Sequence, residues 1–97
     1  MEKEKIERII KEIEHSEINR TLFQLGMIGD INVEDKDVSV ELRVPFYAIP
    51  IREYLIQSIE MAVKKEFQEA NVKVEVVEMT PEERMKFIEM AQNYWKR

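Results

Sequence analysis

The chain has no cysteine, only two glycines and no long apolar run among its 97 residues. Without cysteine it can form no disulfide, no zinc–thiolate site, no thiolate-ligated metal cluster and no cysteine nucleophile. Residues 1–14 alternate charges with isoleucines and lack the apolar core of a secretory signal, and no segment approaches the ~18 apolar residues of a membrane span. These absences predict a cytoplasmic protein whose chemistry does not depend on thiolates.

The charge balance is acidic, with 20 acidic and 15 basic residues and a formal net charge of −5. Phosphate contacts need a positive surface, so we expect no nucleic-acid partner. The same balance argues against a polybasic membrane contact. The length fits one domain, residues 1–97, with a single core, so any site is expected on the surface or in a shallow groove.

Helical periodicity opens the chain and then gives way to a turn. Apolar residues recur every three or four positions from Ile6 to Ile13, which predicts an amphipathic helix ending near His15. Leu22, Phe23, Leu25 and Met27 are then expected to anchor the following segment in the core. Gly26 and Gly29, the only glycines, predict a tight turn into a strand.

The middle of the chain changes to a period of two. Residues 28–33 and 38–44 alternate apolar and polar side chains around a short acidic connection, which predicts an antiparallel hairpin. Pro50 suits the first turn of a helix reaching about Glu69. A third valine-rich strand at 72–76 then implies a parallel pairing with a right-handed crossover. Charged side chains on the outward face of the sheet are expected to form cross-strand ion pairs.

The last helix has the strongest local signal. Thr80 is followed by Pro81 and, three residues after Thr80, by Glu83, which is the pattern of a capping box with proline at the first helical position. An apolar stripe then runs through Met85, Ile88, Ala91 and Trp95, and we expect it to face the core. The order α-β-β-α-β-α predicts an α+β fold, a two-layer α/β sandwich with helices on one face of a three-stranded mixed sheet.

Three local patterns in this order resemble the PaaD-like family of iron–sulfur cluster assembly proteins, which includes SUF-associated proteins and the N-terminal domain of Mrp-type carrier ATPases. The first is His15–Ile18 (His-Ser-Glu-Ile) followed by Leu25–Ile28 (Leu-Gly-Met-Ile). The second is a strand that enters a proline-containing loop, with Pro50 opening the helix. The third is a valine-rich strand followed by Met79–Arg84 (Met-Thr-Pro-Glu-Glu-Arg). The resemblance covers about residues 5 to 90 and implies the same fold and a role in cluster maturation.

The departures from that family fall in the loop after the second strand. The family's Thr-Thr-Pro-Gly-Cys-Pro corresponds here to Pro45–Pro50 (Pro-Phe-Tyr-Ala-Ile-Pro), so Ile49 takes the place of the cysteine. Glu17 and Pro50 keep the family pattern, whereas His15 and Gln24 replace aspartates. An isoleucine can neither ligate iron nor attack sulfur. The resemblance therefore implies a non-catalytic adaptor with no cofactor of its own, which binds a cluster carrier, scaffold or client protein.

The residues expected to bind that partner are Glu17, Phe46, Tyr47, Ile49 and Pro50. The loop is unusually apolar for a connection between a strand and a helix, which favours an exposed contact patch. The alternative is that its side chains fold back and close the end of the core.

Other functions remain open from the residues alone. A histidine and two carboxylates, His15, Glu17 and Asp30, could hold a divalent metal, although His15 could instead cap the carboxyl end of the first helix. A diverged interaction domain outside the iron–sulfur pathway is a further alternative. Tyr94, beside Trp95, is suited to a homodimer contact. No catalytic triad or phosphate-binding loop has recognisable spacing, so we expect no enzyme.

Overall fold

The predicted order of elements is confirmed in the computed structural model, which describes residues 2–96. Three helices and a three-stranded mixed sheet form the expected two-layer α+β fold. The elements, in chain order, are α1 (Lys3–Lys11), β1 (Ile28–Glu34), β2 (Asp37–Val44), α2 (Arg52–Glu66), β3 (Asn71–Glu78) and α3 (Pro81–Tyr94).

The sheet has β2 at its centre, with the strand order β1-β2-β3. β1 pairs antiparallel with β2, so that Val33 lies opposite Val38, and Asp35 takes the left-handed conformation (φ 55°) in the turn. β2 pairs in parallel with β3, Val38 opposite Val72, and α2 is the crossover between them. The parallel pair brings the carboxyl ends of β2 and β3, and the loops that follow them, to the same edge of the sheet.

The core lies between one face of the sheet and the first two helices. Alternation along β2 places every second side chain in the interior, because successive residues of a strand point to opposite faces. Each of these buried side chains contributes about 1.5–3 kcal/mol through removal of apolar surface from water. The fully buried residues shared by sheet and helices are Val38, Val40, Leu42 and Val44 on β2, Ile6 and Ile10 on α1, and Leu55, Ile59 and Val63 on α2.

The first helix is shorter than its periodicity predicts, since it ends at Lys11 rather than near His15. After Glu12 the backbone pairs with the chain that returns toward β1, and the Leu22 amide donates to the Ile13 carbonyl at 2.8 Å. Leu22, Leu25 and Met27 are buried as expected, but Phe23 is 48% exposed and the Lys11 ammonium lies 4.8 Å from its ring centroid. The expected turn is confirmed at Gly26, whose φ of +76° suits glycine.

The second helix is also trimmed relative to the prediction. It spans Arg52–Glu66 with Ile51 at the N-cap, so Pro50 precedes the helix instead of opening its first turn. The Phe67 amide still donates to the Val63 carbonyl at 2.9 Å, which closes the carboxyl end two residues before Glu69.

The third helix has the predicted cap, but of the predicted inward stripe only Ala91 packs against the core. Its most exposed apolar residue, Met85, is 71% exposed, and Ile88 and Trp95 are also exposed. The side that packs against the core carries Phe87, Met90 and Ala91, all half-buried. The expectation was wrong because α1 and α2 already cover the apolar face of the sheet, which leaves α3 to pack at the edge formed by the strand ends.

The outward face of the sheet is charged. Cross-strand ion pairs were predicted there, but the ion pairs observed lie within β2 and between β2 and α3. Arg43 Nε donates to Glu41 Oε1 at 2.7 Å along β2, and Arg43 Nη1 donates to Glu83 Oε2 of α3 at 3.0 Å. Across the parallel register, Glu41 faces Glu75, a like-charged pair. A Cβ at Gly29 would collide with the Glu41 carboxylate, so this glycine gives the carboxylate room to reach Arg43.

We expect Thr80→Ala to lower the free energy of unfolding by about 1 kcal/mol. The Thr80 hydroxyl accepts from the Glu83 amide at 3.2 Å, and the Glu83 carboxylate accepts from the Thr80 amide at 2.9 Å. That amide, together with Arg43, holds the pKa of Glu83 below its usual value. The carboxylate's contribution is therefore present at neutral pH and lost as the pH falls through the lowered pKa.

Urea denaturation at neutral pH measures the stability lost in Thr80→Ala. Thr80→Ser is the matched control, because serine keeps the capping oxygen. Equal stability of the alanine and serine variants at neutral pH would show that the cap contributes nothing.

Candidate functional site

The loop between β2 and α2 is held in place by side chains from three different elements. The Tyr47 amide donates to Glu78 Oε2 of β3 at 3.0 Å. Arg52 of α2 donates to the Tyr47 carbonyl at 3.2 Å, and Arg84 Nε of α3 donates to the Pro45 carbonyl at 2.9 Å. These bonds satisfy backbone groups that a loop without regular structure would otherwise leave to water. The backbone of this loop is therefore fixed by hydrogen bonds to three neighbouring elements.

Two aromatic side chains of this loop are exposed to solvent. Phe46 is 53% and Tyr47 49% exposed, so neither folds back to close the core. The Arg84 guanidinium lies 4.6 Å from the Phe46 ring centroid, a cation–π contact that orients the ring. Ile49 is half-buried and Pro50 is exposed. The exposed patch that the sequence predicts is thus formed by Phe46, Tyr47 and Pro50, while Ile49 lines the adjoining groove.

His15 is buried and is held by the backbone of its own turn. Its Nδ1 accepts hydrogen bonds from the Glu17 amide at 3.0 Å and the Ile18 amide at 3.2 Å. A ring nitrogen that accepts carries no proton, so the imidazole is neutral with its proton on Nε2. Burial lowers the pKa of His15, an effect that Glu17 opposes and Lys96 reinforces. The ring accordingly acts as an uncharged cap of its turn; the interpretation of His15 as a cation at the end of the first helix is wrong, because α1 ends four residues earlier.

The turn that contains His15 is joined to the end of α3 by backbone hydrogen bonds. The Asn19 amide donates to the Tyr94 carbonyl at 2.7 Å, and the Lys96 amide donates to the Glu17 carbonyl at 2.9 Å. The Arg20 guanidinium stacks 3.4 Å from the Tyr94 ring centroid. Tyr94, which the sequence suggests for a dimer contact, is therefore engaged within the chain.

These pieces enclose a groove of about 250 Å³. One wall is the fixed loop, the second is the His15 turn, and the third is the inner side of α3. Its lining is mainly apolar, with the imidazole and one carboxylate as the ionisable groups: His15, Glu17, Ile18, Met27, Pro45, Ile49, Pro50, Ile51, Phe87, Ala91 and Trp95. Such a groove suits an apolar side chain of another molecule, and its side chains include no thiol or hydroxyl group.

The structure brings together all five residues expected to bind a partner. Glu17, Ile49 and Pro50 line the groove, and Phe46 and Tyr47 stand beside it on the loop. The sequence did not single out Glu78 or Arg84 for this site. Arg84 follows the capping box directly, so its position near the start of α3 was readable, but nothing in the sequence pairs Glu78 with the Tyr47 amide.

The three residues of the alternative metal site do not meet. Asp30 lies on the outward face of the sheet beside Ser39, Glu41 and Lys73, whereas His15 and Glu17 lie in the groove. Across residues 2–96, no group of three histidine, aspartate or glutamate side chains is placed to hold a metal ion. Within the same range, no helix is long and apolar enough to cross a membrane.

The fold and the groove define a small two-layer α+β domain that offers a shallow surface site. The same fold occurs in a solved structure described as a domain of unknown function DUF59 from Bacillus anthracis, with a TM-score of 0.70 and 16% sequence identity. The similarity covers 91% of this chain and 90% of that one.

Residues 3–76 match the family model described as iron-sulfur cluster assembly protein, and the chain belongs to this family. The resemblance noted in the sequence is confirmed. A curated relative, the iron-sulfur cluster carrier protein of Synechocystis sp., is 29% identical over 76 residues, which are 78% of this chain and 22% of the relative. The chain thus spans less than a quarter of that protein's length. The family match ends before α3, so one wall of the groove lies outside the matched residues.

Proposed function

We propose that this protein is a non-catalytic adaptor of iron–sulfur cluster assembly, which acts in the cytoplasm by contact with a cluster carrier, scaffold or client protein. Its binding surface is the Pro45–Pro50 loop together with Glu17 and the groove between them. The observation that carries the proposal is the fixed loop, which presents Phe46 and Tyr47 half-exposed beside an apolar groove.

The rigidity of the loop favours binding. Aromatic side chains dominate the binding energy of many protein interfaces, and they do so best when they are already ordered before the partner arrives. Here the Tyr47 backbone is bonded on both sides, by Glu78 and Arg52, and Arg84 orients the Phe46 ring. The loop backbone and the Phe46 ring therefore lose little conformational entropy when a partner covers them.

The chemistry of the groove favours contact over catalysis. Ile49 stands where the resemblance places a cysteine, and the Nδ1 of the single histidine is occupied by two backbone amides. A cluster handled in such a complex is cargo held by the partner's own ligands. Glu17 adds a half-buried carboxylate at the groove, which suits a basic or hydrogen-bond-donating residue at the rim of the partner's surface.

The decisive experiment is affinity purification of the tagged protein from its own cells, with identification of bound proteins and metal analysis of the same eluate. We expect a cluster carrier, scaffold or client protein to be recovered with wild type. The double variant Phe46→Ser/Tyr47→Ser should reduce its recovery at least tenfold, the effect of losing one or more interface hot spots.

Phe23→Ser is the matched control, since Phe23 is similarly exposed but lies next to Lys11, outside the loop. Thermal unfolding establishes that all variants are folded. Undiminished recovery with a folded double variant would exclude the loop as the binding surface. A wild-type eluate with no iron–sulfur assembly protein would count against the adaptor role itself.

A further inference from the structure

The outer side of α2 carries an apolar surface that belongs neither to the core nor to the groove. Tyr54 is 55% and Met61 70% exposed, and between them Ser58 and Ala62 leave a shallow hollow. The Ser58 hydroxyl donates to the Tyr54 carbonyl at 2.8 Å, so it is satisfied within the helix. The floor of the hollow is therefore apolar, and its rim carries the polar side chains Gln57, Glu60, Lys64 and Lys65.

The spacing of these residues makes the surface complementary to itself. Positions 54, 58, 61 and 65 lie four, three and four residues apart, which is one stripe of a helix. When two copies of the stripe meet antiparallel about a two-fold axis, position 54 faces 65 of the second copy and 58 faces 61. Each Met61 then lies over the hollow at Ser58 of the other helix, and each Tyr54 ring meets a Lys65 ammonium, a cation–π pair.

Charge supports the antiparallel direction. Glu53 lies at the amino end of α2 and Lys64 near its carboxyl end, on the same flank of the stripe. Antiparallel pairing about a two-fold axis puts each Glu53 on the same side of the helix pair as a Lys64 of the other copy, at a similar height along the axis. Neither Lys64 nor Lys65 forms an ion pair with another residue of the range 2–96, so both are open to such a contact.

We propose that the outer face of α2 is a homodimer interface, occupied by the same face of a second copy in antiparallel orientation. A helix of 15 residues is about 22 Å long. One such pair covers less than the ~1,200–2,000 Å² of a standard stable interface, so the dimer is weak and forms only at high protein concentration. The dimer leaves both Pro45–Pro50 loops uncovered, one near each end of the helix pair.

Sedimentation equilibrium of the purified protein from about 10 µM to 1 mM tests the proposal, because dimerisation follows mass action. Wild type should shift from monomer to dimer across this range. Met61→Glu should weaken association at least tenfold by burying a charge in the interface. Met85→Glu is the matched control, since Met85 is a methionine of equal exposure on α3, and it should dimerise like wild type.

A charge exchange tests the orientation. Glu53→Lys should weaken the dimer about threefold by placing lysines side by side, and Glu53→Lys/Lys64→Glu should restore it. A wild-type monomer at every concentration would overturn the proposal, whatever other molecule covers the face. So would loss of the dimer in Met85→Glu but not in Met61→Glu. Failure of the exchange to restore association would overturn the antiparallel arrangement.

Discussion

Replacing Met27 by alanine is expected to lower the free energy of unfolding by about 2–5 kcal/mol. Met27 is fully buried and sits where the core meets the groove. Its amide donates to the Leu22 carbonyl at 2.9 Å, and its carbonyl accepts from the Arg43 amide at 2.8 Å. Because the backbone is held from both sides, it cannot move inward, and the neighbouring side chains fill only part of the space that the side chain leaves.

Met27→Leu is the control for this prediction, since a swap that conserves volume costs less than about 1.5 kcal/mol. Urea denaturation followed by circular dichroism measures both variants. A loss below about 1 kcal/mol in the alanine variant would mean that the side chain is not packed as the structure shows. Because natural domains are stable by only about 5–15 kcal/mol, binding of a partner should be tested at a temperature where the variant remains folded.

The predictable part of the fold is the part governed by local pattern. Alternation along β2 predicted its buried face correctly. The capping box predicted Thr80 as the N-cap and Pro81 as the first residue of α3, which the structure confirms. The end of α1 was missed because Ile13 continues the helical rhythm, while its carbonyl pairs with the distant Leu22 amide. The spacing of apolar residues does not reveal that another segment will bind a backbone carbonyl and so end the helix.

The inward face of α3 shows the same limit in packing. Met85, Ile88 and Trp95 form a regular stripe and were expected in the core, but the apolar face of the sheet is covered by the two earlier helices. What faces inward is decided by the position of the helix at the edge of the sheet. Periodicity identifies an apolar stripe; it does not say whether this chain or another molecule covers it.

The candidate site was predictable in its residues and not in its geometry. The loop's composition pointed to Phe46, Tyr47 and Ile49, and the structure places Ile49 in the groove and leaves the two aromatic rings exposed on the same loop. The contribution of the end of α3 was missed, because the pairing of Asn19 with Tyr94 joins segments that are far apart in the sequence.

Replacing His15 by alanine is expected to lower the free energy of unfolding by about 1–3 kcal/mol. Alanine leaves the Glu17 and Ile18 amides without their acceptor, and the Ile18 amide is buried. Asparagine should retain most of the stability, because its side-chain oxygen can accept from amides two and three residues ahead, as in an Asx-turn. Equal losses in the two variants would show that the ring acts by packing and not as an acceptor.

The same residue should make stability depend on pH. Burial lowers the pKa of His15, so the unfolded chain takes up a proton at a higher pH than the folded chain does. The free energy of unfolding is then highest above about pH 6.5 and decreases as the pH falls from there toward the lowered pKa. His15 is the only histidine, so His15→Asn should be nearly flat between about pH 7.5 and 5.5. Urea denaturation at these two pH values measures both proteins. A wild type as flat as the asparagine variant would mean that the pKa of His15 is the same in the folded and the unfolded chain, which would contradict the lowered pKa.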